Sequence, residues 1–217
     1  MFYNIFDTVP EQLVGNTDNL YFVLDGGSLI HHVVWPKQET FGDVYTTYIS
    51  YIKRHYSGEV TVVFDGYTES SVNTKVIERQ KQSTSGEIIF NENTVLLDPQ
   101  RQFLSNLANK EFSFRKLASH LEDVDICTFV ATDDADVHIV KTTTETYQKI
   151  KKQVVISQDV DILVLLIALT PDYTDILMLK EGKGKVKDRF YNSKDLQNSN
   201  LVIECTQKNI HSLRSCD

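Results

Sequence analysis

Aspartates follow short apolar runs at four places in this 217-residue sequence. They are Asp25, Asp65, the group Asp133, Asp134 and Asp136, and the pair Asp159 and Asp161. Each acid alone has an ordinary structural interpretation, because Asp-Gly is common in turns and an aspartate at a helix start caps free amides. Gathered at one place, so many like charges cost stability unless cations neutralise them. Ligands that are all oxygen favour Mg²⁺ or Mn²⁺ over zinc.

The spacing within two of these groups suits a shared metal site only at the start of a helix. Asp134 and Asp136 are two residues apart, and so are Asp159 and Asp161. Inside a regular helix such residues point roughly 200° away from each other, given 3.6 residues per turn. At a junction between a strand and a helix the first residue is not yet helical, so both carboxylates can aim at one metal cluster.

Apolar runs and their periods predict the elements that must position these acids. We predict strands at 21–24, 60–64, 124–130, 154–156 and 175–180, and helices at 41–55, at 112–121, from 132–136 to about 149, and at 162–169. The run at 162–169 fits either type by itself, and helix is favoured because acids precede it and a strand follows soon after. Gly182-Lys183-Gly184 predicts a hairpin into a last strand at 186–191, before a helical turn at 193–197. Residues 1–19 show no period, and residues 91–100 fit no element.

This alternation of strands and helices predicts an α/β fold. We expect a doubly wound three-layer sandwich with a mostly parallel central sheet and an antiparallel edge hairpin. The length fits one domain over residues 1–217. Ligands of such sheets lie outside the carboxyl ends of the strands, so acids that follow different strands are expected to share one region.

The overall charge is unusual for a protein that binds nucleic acid. The sequence has 22 Lys and Arg against 30 Asp and Glu, which gives a formal net charge of −8. Affinity for phosphates normally comes from lysine and arginine. Two divalent cations held by the acids would return positive charge to the place where a phosphate would lie.

Other features predict a protein inside the cell, in the nucleus or cytoplasm, with no membrane segment. The longest apolar run, at 162–169, is far shorter than the roughly 20 residues that cross a bilayer. The first residues carry acids and Pro10 where a secretory signal has a basic start and an apolar stretch. Cys127, Cys205 and Cys216 include no CxxC pair, which indicates free thiols, and Cys205, His211 and Cys216 match no common zinc module.

Four segments together resemble the PIN-like domain of flap endonucleases and their structure-specific 5′-nuclease relatives. They are VLDGGS (23–28), VVFDGY (62–67), TDDADVHIV (132–140) and ISQDVDILVLL (156–166). The resemblance covers the chain from about Phe22 to its end. It implies two ions, Mg²⁺ or Mn²⁺, held by Asp25, Asp65, Asp134, Asp136, Asp159 and Asp161, with Asp159 and Asp161 as catalytic residues. Ser215-Cys216-Asp217 is similar to the family's G-C-D motif, with serine in place of glycine, which makes Asp217 a seventh candidate ligand.

The resemblance also implies contacts to nucleic acid in the polar stretch at 67–86. Lys75 and Arg79 resemble basic residues that contact the scissile phosphate, and Lys81 continues the same basic face. A solvated helix face is the alternative interpretation. Tyr67 is a candidate for stacking on a base, although a tyrosine after a turn also fits surface packing.

Two further features of the resemblance concern the wider chain. The segments DGGSLIHHVVW (25–35), FDGY (64–67) and KEGKGKVKDRFY (180–191) resemble a PIN-like group abundant in invertebrate genomes, often near mobile elements. The sequence stops at Asp217, where the relatives continue into a helical element that grips duplex DNA, so we expect that element to be absent here.

The function expected from these observations is metal-dependent hydrolysis of phosphodiester bonds, with DNA favoured over RNA as the partner. The alternative is a nucleic-acid-binding or interaction module that keeps the fold without turnover. A phosphatase of small substrates is disfavoured because no aspartyl nucleophile motif is present. Glu181-Gly-Lys-Gly-Lys185 lacks the spacing of a Walker motif and fits a hairpin, while His31, His32, His138 and Trp35 fit packing as well as a site.

Overall fold

A computed structural model describes residues 20–197 except 38, 57, 67–91, 96–98, 133, 151 and 172. Its strands are β1 (Tyr21–Asp25), β2 (Glu59–Asp65), β3 (Cys127–Ala131), β4 (Gln153–Ile156), β5 (Ile176–Lys180) and β6 (Arg189–Asn192). Its helices are α1 (Gly26–His32), α2 (Phe41–His55), α3 (Gln100–Ser105), α4 (Leu107–Glu122), α5 (Ala135–Tyr147), α6 (Val160–Leu169) and α7 (Ser193–Gln197). Within this part of the chain, no helix is long and apolar enough to cross a membrane.

The six strands form one sheet in the order β3-β2-β1-β4-β5-β6. All neighbouring pairs are parallel except β5 and β6, which are antiparallel. The chain therefore builds outward from β1 through β2 to β3, and then returns to place β4 on the other side of β1. This reversal between β1 and β4 is the point at which doubly wound sheets bind their ligands.

Helices cover both faces of the sheet, as the alternation of inward-facing residues along each strand requires. Leu24, Phe64 and Ile156 pack into the core beneath α1 to α4, whereas Val23 and Val63 pack into the core beneath α5 to α7. The predicted α/β sandwich with its antiparallel edge is confirmed.

Three local predictions need correction or completion. The third strand begins at Cys127 and not at Val124, because Val124 and Asp125 belong to the turn after α4, where Asp125 has a φ of 62°. The last strand begins at Arg189, since residues 181–188 form a loop that is longer than a tight hairpin turn. The unassigned stretch before residue 100 leads into α3, and Val95 bridges Thr40.

Candidate metal centre

Two of the acidic pairs lie where a strand gives way to a helix. Asp159 is the extended residue that caps α6, with φ −83° and ψ 135°, and its Oδ1 accepts a hydrogen bond of 2.9 Å from the Asp161 amide. Asp134 caps α5 in the same way, with φ −97° and ψ 115°, and accepts from the Asp136 amide at 3.0 Å. The capping interpretation of these acids is therefore correct. It does not compete with metal binding, because capping uses one oxygen of a carboxylate that has two.

Three carboxylates converge at the carboxyl edge of the sheet. Asp136, Asp159 and Asp161 each offer an oxygen, and these atoms all lie within 4.8 Å of one another. An ion with ligand distances of about 2.1 Å holds its ligand oxygens at most about 4 Å apart, so the spacing of these three atoms is close to that of ligands on one ion. Their hard, anionic oxygens fit Mg²⁺ or Mn²⁺ better than a soft metal.

The pKa of Asp136 is affected by its burial and by the other acids near it. Burial raises the pKa of Asp136 to about 7, and the charges of Asp25, Asp134, Asp159 and Asp65 add to the effect. Acids that follow β1, β2, β3 and β4 therefore all contribute to the raised pKa of Asp136, which agrees with their placement at one edge of the sheet. Asp65 itself ends β2, where it is paired in register with Ala131 and is partly buried.

Asp25 lies at the reversal point between β1 and β4 and is held by two serines. Its Oδ2 accepts hydrogen bonds from the Ser28 hydroxyl at 2.5 Å and from the Ser157 hydroxyl at 2.8 Å, and its Oδ1 accepts from the Ser28 amide at 3.1 Å. Each serine oxygen in turn accepts from the loop that begins α6. The Gln158 amide donates to Ser28 at 3.0 Å, and the Asp159 amide donates to Ser157 at 2.9 Å.

The predicted acids thus fall into three sets by their placement. Asp136, Asp159 and Asp161 form the compact group, and Asp25, Asp65 and Asp134 surround Asp136 closely enough to shift its pKa. The remaining candidates, Tyr67, Lys75, Arg79, Lys81 and Asp217, lie outside the described residues. Metal binding by any of the aspartates named in this paragraph stays a prediction.

No protein-family model matches the chain, and no curated protein matches it in sequence. Among solved structures, the catalytic core of Rad2 in complex with DNA substrate has a TM-score of 0.48 and 14% identity over 88% of this chain and 52% of that chain. A bacteriophage T5 flap endonuclease, in a pseudo-enzyme–product complex with DNA and metal ions, has a TM-score of 0.45 and 16% identity over 73% of this chain and 54% of that one. The Holliday junction-resolving enzyme GEN1, in complex with product DNA and Mg²⁺, has a TM-score of 0.42 and 12% identity over 83% of this chain and 34% of that chain.

This chain therefore spans about half the length of the first two proteins, and a third of the last. Similarity at this level does not establish a family for it, so its function has to be inferred from its own residues. The resemblance to the invertebrate group is untested by these structures and stays a prediction from the sequence.

Sequence reasoning missed Ser28 and Ser157, which hold Asp25 and the loop that carries Asp159. Both serines stand within the segments that carry the resemblance, each close to an acid in the chain. Their position beside aspartates was visible in the sequence. Their shared contact with Asp25 was not, because it requires β4 to pair with β1 across more than a hundred residues.

Proposed function

We propose that this protein is a divalent-metal-dependent nuclease, which hydrolyses phosphodiester bonds of DNA or RNA with two ions in the manner of a 5′-nuclease. The observation that carries the proposal is the convergence of Asp136, Asp159 and Asp161 within 4.8 Å at the carboxyl edge of the sheet. Three carboxylates this close repel one another. The pKa of Asp136 is raised by its burial first and then by neighbouring acids, Asp159 among them. A bound cation would remove that repulsion, which gives the cluster a physical reason to exist.

The donor set fits Mg²⁺ or Mn²⁺ because every candidate ligand is a carboxylate oxygen. Asp136, Asp159 and Asp161 would hold one ion, and Asp25, Asp65 and Asp134 would complete the ligand set for two. Two ions at such a site supply an activated water and neutralise charge on the phosphate and the leaving oxygen.

The chain's own residues would position these carboxylates and the substrate. Ser28 and Ser157 fix Asp25 and the start of α6 relative to each other. From the sequence, Lys75 and Arg79 are proposed to neutralise the scissile phosphate, and Tyr67 and Lys81 to contact the strand. Asp217 is proposed as a further ligand on the same grounds.

Cleavage of a labelled 5′-flap DNA, and of an RNA of the same sequence, tests the proposal in Mg²⁺ or Mn²⁺. We expect Asp159→Asn, which retains the capping oxygen, to lower the rate by about 100-fold or more, because it removes charge stabilisation in the transition state. Asp123→Asn is the matched control, since Asp123 is an exposed acid at the end of α4. It is expected to cut at the wild-type rate.

Two results would contradict the proposal. The first is equal cleavage by the wild type and Asp159→Asn, which would indicate a contaminating nuclease. The second is tight binding of the flap by the wild type without cleavage in either ion, which would favour the non-catalytic binding module.

A further inference from the structure

The stretch from Lys180 to Arg189 concentrates positive charge in a chain that is acidic as a whole. It contains five cations and two acids, a net charge of +3, against −8 for the full sequence. The cations are Lys180, Lys183, Lys185, Lys187 and Arg189. Residues 181–188, the connection from β5 to β6, are called the basic loop below.

Both acids of the basic loop are engaged with the protein itself. The side chain of Glu181 is only 13% exposed and accepts hydrogen bonds from the hydroxyls of Tyr51 at 2.7 Å and Tyr56 at 2.6 Å. Asp188 accepts a hydrogen bond of 2.7 Å from the Gly182 amide across the loop. Lys183, Lys185 and Lys187 are exposed and outnumber the one exposed acid of the loop, Asp188, so the outward surface of the loop carries a net positive charge.

The backbone of the basic loop has a defined shape. Gly184 has a φ of 67°, which favours glycine, and the Val186 amide donates to the Lys183 carbonyl at 3.3 Å to close a turn around it. A Cβ on Gly182 would lie 1.9 Å from the Val186 carbonyl oxygen, so the chain packs tightly against itself there. A loop that is already shaped loses less conformational freedom when it binds a partner.

The basic loop starts beside the candidate metal centre. The Ser157 amide donates to the Leu179 carbonyl at 3.2 Å, and the Gln158 side chain donates to the Glu181 carbonyl at 2.9 Å. Charge couplings agree with this placement. Burial and Lys110 lower the pKa of His31, Asp25 raises it, and Lys183 lowers it further. The loop thus follows β5, which lies on the far side of β4 from β1.

We propose that the basic loop binds the phosphodiester backbone of the nucleic acid strand next to the metal centre, through Lys183, Lys185 and Lys187. The inference rests on the proposed function and adds a binding surface to it. Lysine ammonium groups on exposed stems attract phosphates without distinguishing bases, so the contribution is independent of sequence and sensitive to salt. The same surface suits DNA and RNA, which share this backbone chemistry.

The test is the triple variant Lys183→Gln, Lys185→Gln and Lys187→Gln. Binding of a fluorescein-labelled 5′-flap DNA, and of an RNA of the same sequence, is measured by anisotropy in Ca²⁺ over a salt titration, with probe integrity checked on a gel. The loss of three phosphate contacts is expected to reduce the magnitude of the negative slope of log K against log salt by about 2 to 3, and the affinity by at least about tenfold at 100 mM salt. Equal losses for both probes identify the shared backbone, and a loss for one probe identifies that nucleic acid as the ligand.

The matched control is Lys116→Gln, Lys149→Gln and Lys152→Gln, which makes the same change in net charge at exposed lysines of α4 and of the residues between α5 and β4. A loss below about twofold is expected there, because Lys149 and Lys152 precede β4 at the amino edge of the sheet and Lys116 lies in the middle of α4. Wild-type binding by the loop variant, or equal losses in loop and control variants, would overturn the inference. Binding that depends on the loop without any cleavage by the wild type would support the inference while contradicting the nuclease proposal.

Discussion

At the scale of single residues, the pKa of Asp136 reflects both the burial of this side chain and the acids around it. Its folded-state pKa of about 7 lies above the ordinary value of 3.8, mainly through burial and then through Asp25 and Asp134. Between these two pH values the folded state binds more protons than the unfolded state. The contribution of Asp136 to the stability of the metal-free protein should therefore be most favourable below about pH 4, fall as the pH rises towards 7 and stay at its lower value above 7.

This linkage gives a prediction for Asp136→Asn. In chelator, the melting temperature of the wild type should decline between pH 5 and pH 8, as Asp136 loses its proton. This decline should be much smaller in the variant, because asparagine does not ionise. The side chain is only partly buried, so solvent screening reduces the effect. Thermal melts of both proteins at several pH values provide the measurement, and parallel curves for the two would mean that the pKa of Asp136 is not raised in the folded state. Mn²⁺ should stabilise the wild type most at pH 8, where the carboxylate is free of its proton.

The residue scale also marks a limit of sequence reasoning. The acids at 25, 65, 134, 136, 159 and 161 could be selected from the sequence because each lies shortly after an apolar run. Such a run predicts a strand, so the local sequence also predicts that these acids lie near strand ends. Gln100 could not be assigned a role, since its side chain donates to the carbonyls of Ile30 and Val33, both at 2.8 Å. A contact across about 70 residues leaves no local signal in the sequence.

At the scale of elements, the loop that begins α6 is tethered to β1 by hydroxyl groups. Ser157 is fully buried, donates to Asp25 and accepts from the Asp159 amide. Ser157→Ala would leave the Asp159 amide without this partner and would remove one of the two hydroxyl hydrogen bonds to Asp25 Oδ2, which keeps the one from Ser28. Each lost hydrogen bond to a buried group costs about 1–3 kcal/mol. The position of Asp159 relative to Asp25 should loosen as a consequence.

We therefore predict that Ser157→Ala unfolds at lower urea concentration and binds Mn²⁺ more weakly than the wild type. Ser105→Ala serves as the control, because Ser105 is an exposed residue in the last turn of α3 and donates only to the Gln102 carbonyl. Urea titration and calorimetric Mn²⁺ binding separate the two effects. A Ser157→Ala protein with unchanged Mn²⁺ affinity would show that the tether is structural alone.

Element boundaries show what the sequence could and could not predict at this scale. Helix α2 was predicted at 41–55 and is Phe41–His55, because a capping box of Thr40 and Asp43 begins it and its apolar stripe is continuous. The third strand was placed too early, because Val124 looks like a strand former although it lies in a turn. Local propensity failed there because the turn depends on the way α4 ends against the sheet.

At the scale of the whole molecule, the fold class followed from the alternation of elements, whereas the strand order did not. The sequence contains no local signal that β4 pairs with β1 and not with β3, yet this pairing brings Asp25, Asp136 and Asp159 to one edge. The same edge combines an acidic cluster with the basic loop. Because the acids at this edge repel a phosphate, bound cations that reverse their field should strengthen the attraction of a phosphate there.

This reversal predicts opposite effects of one substitution under two conditions. In chelator, the double variant Asp136→Asn and Asp159→Asn should bind a labelled flap DNA more tightly than the wild type, because two charges that repel phosphate are gone. In Ca²⁺, the wild type should bind at least as tightly as the variant, since the ion occupies the acids and attracts the phosphate. Anisotropy titrations at low salt measure both conditions, and Asp123→Asn with Asp195→Asn, two exposed acids elsewhere, controls for net charge. If the site and control variants gain equally in chelator, the acids do not face the phosphate, and the placement of the nucleic acid over the metal centre is wrong.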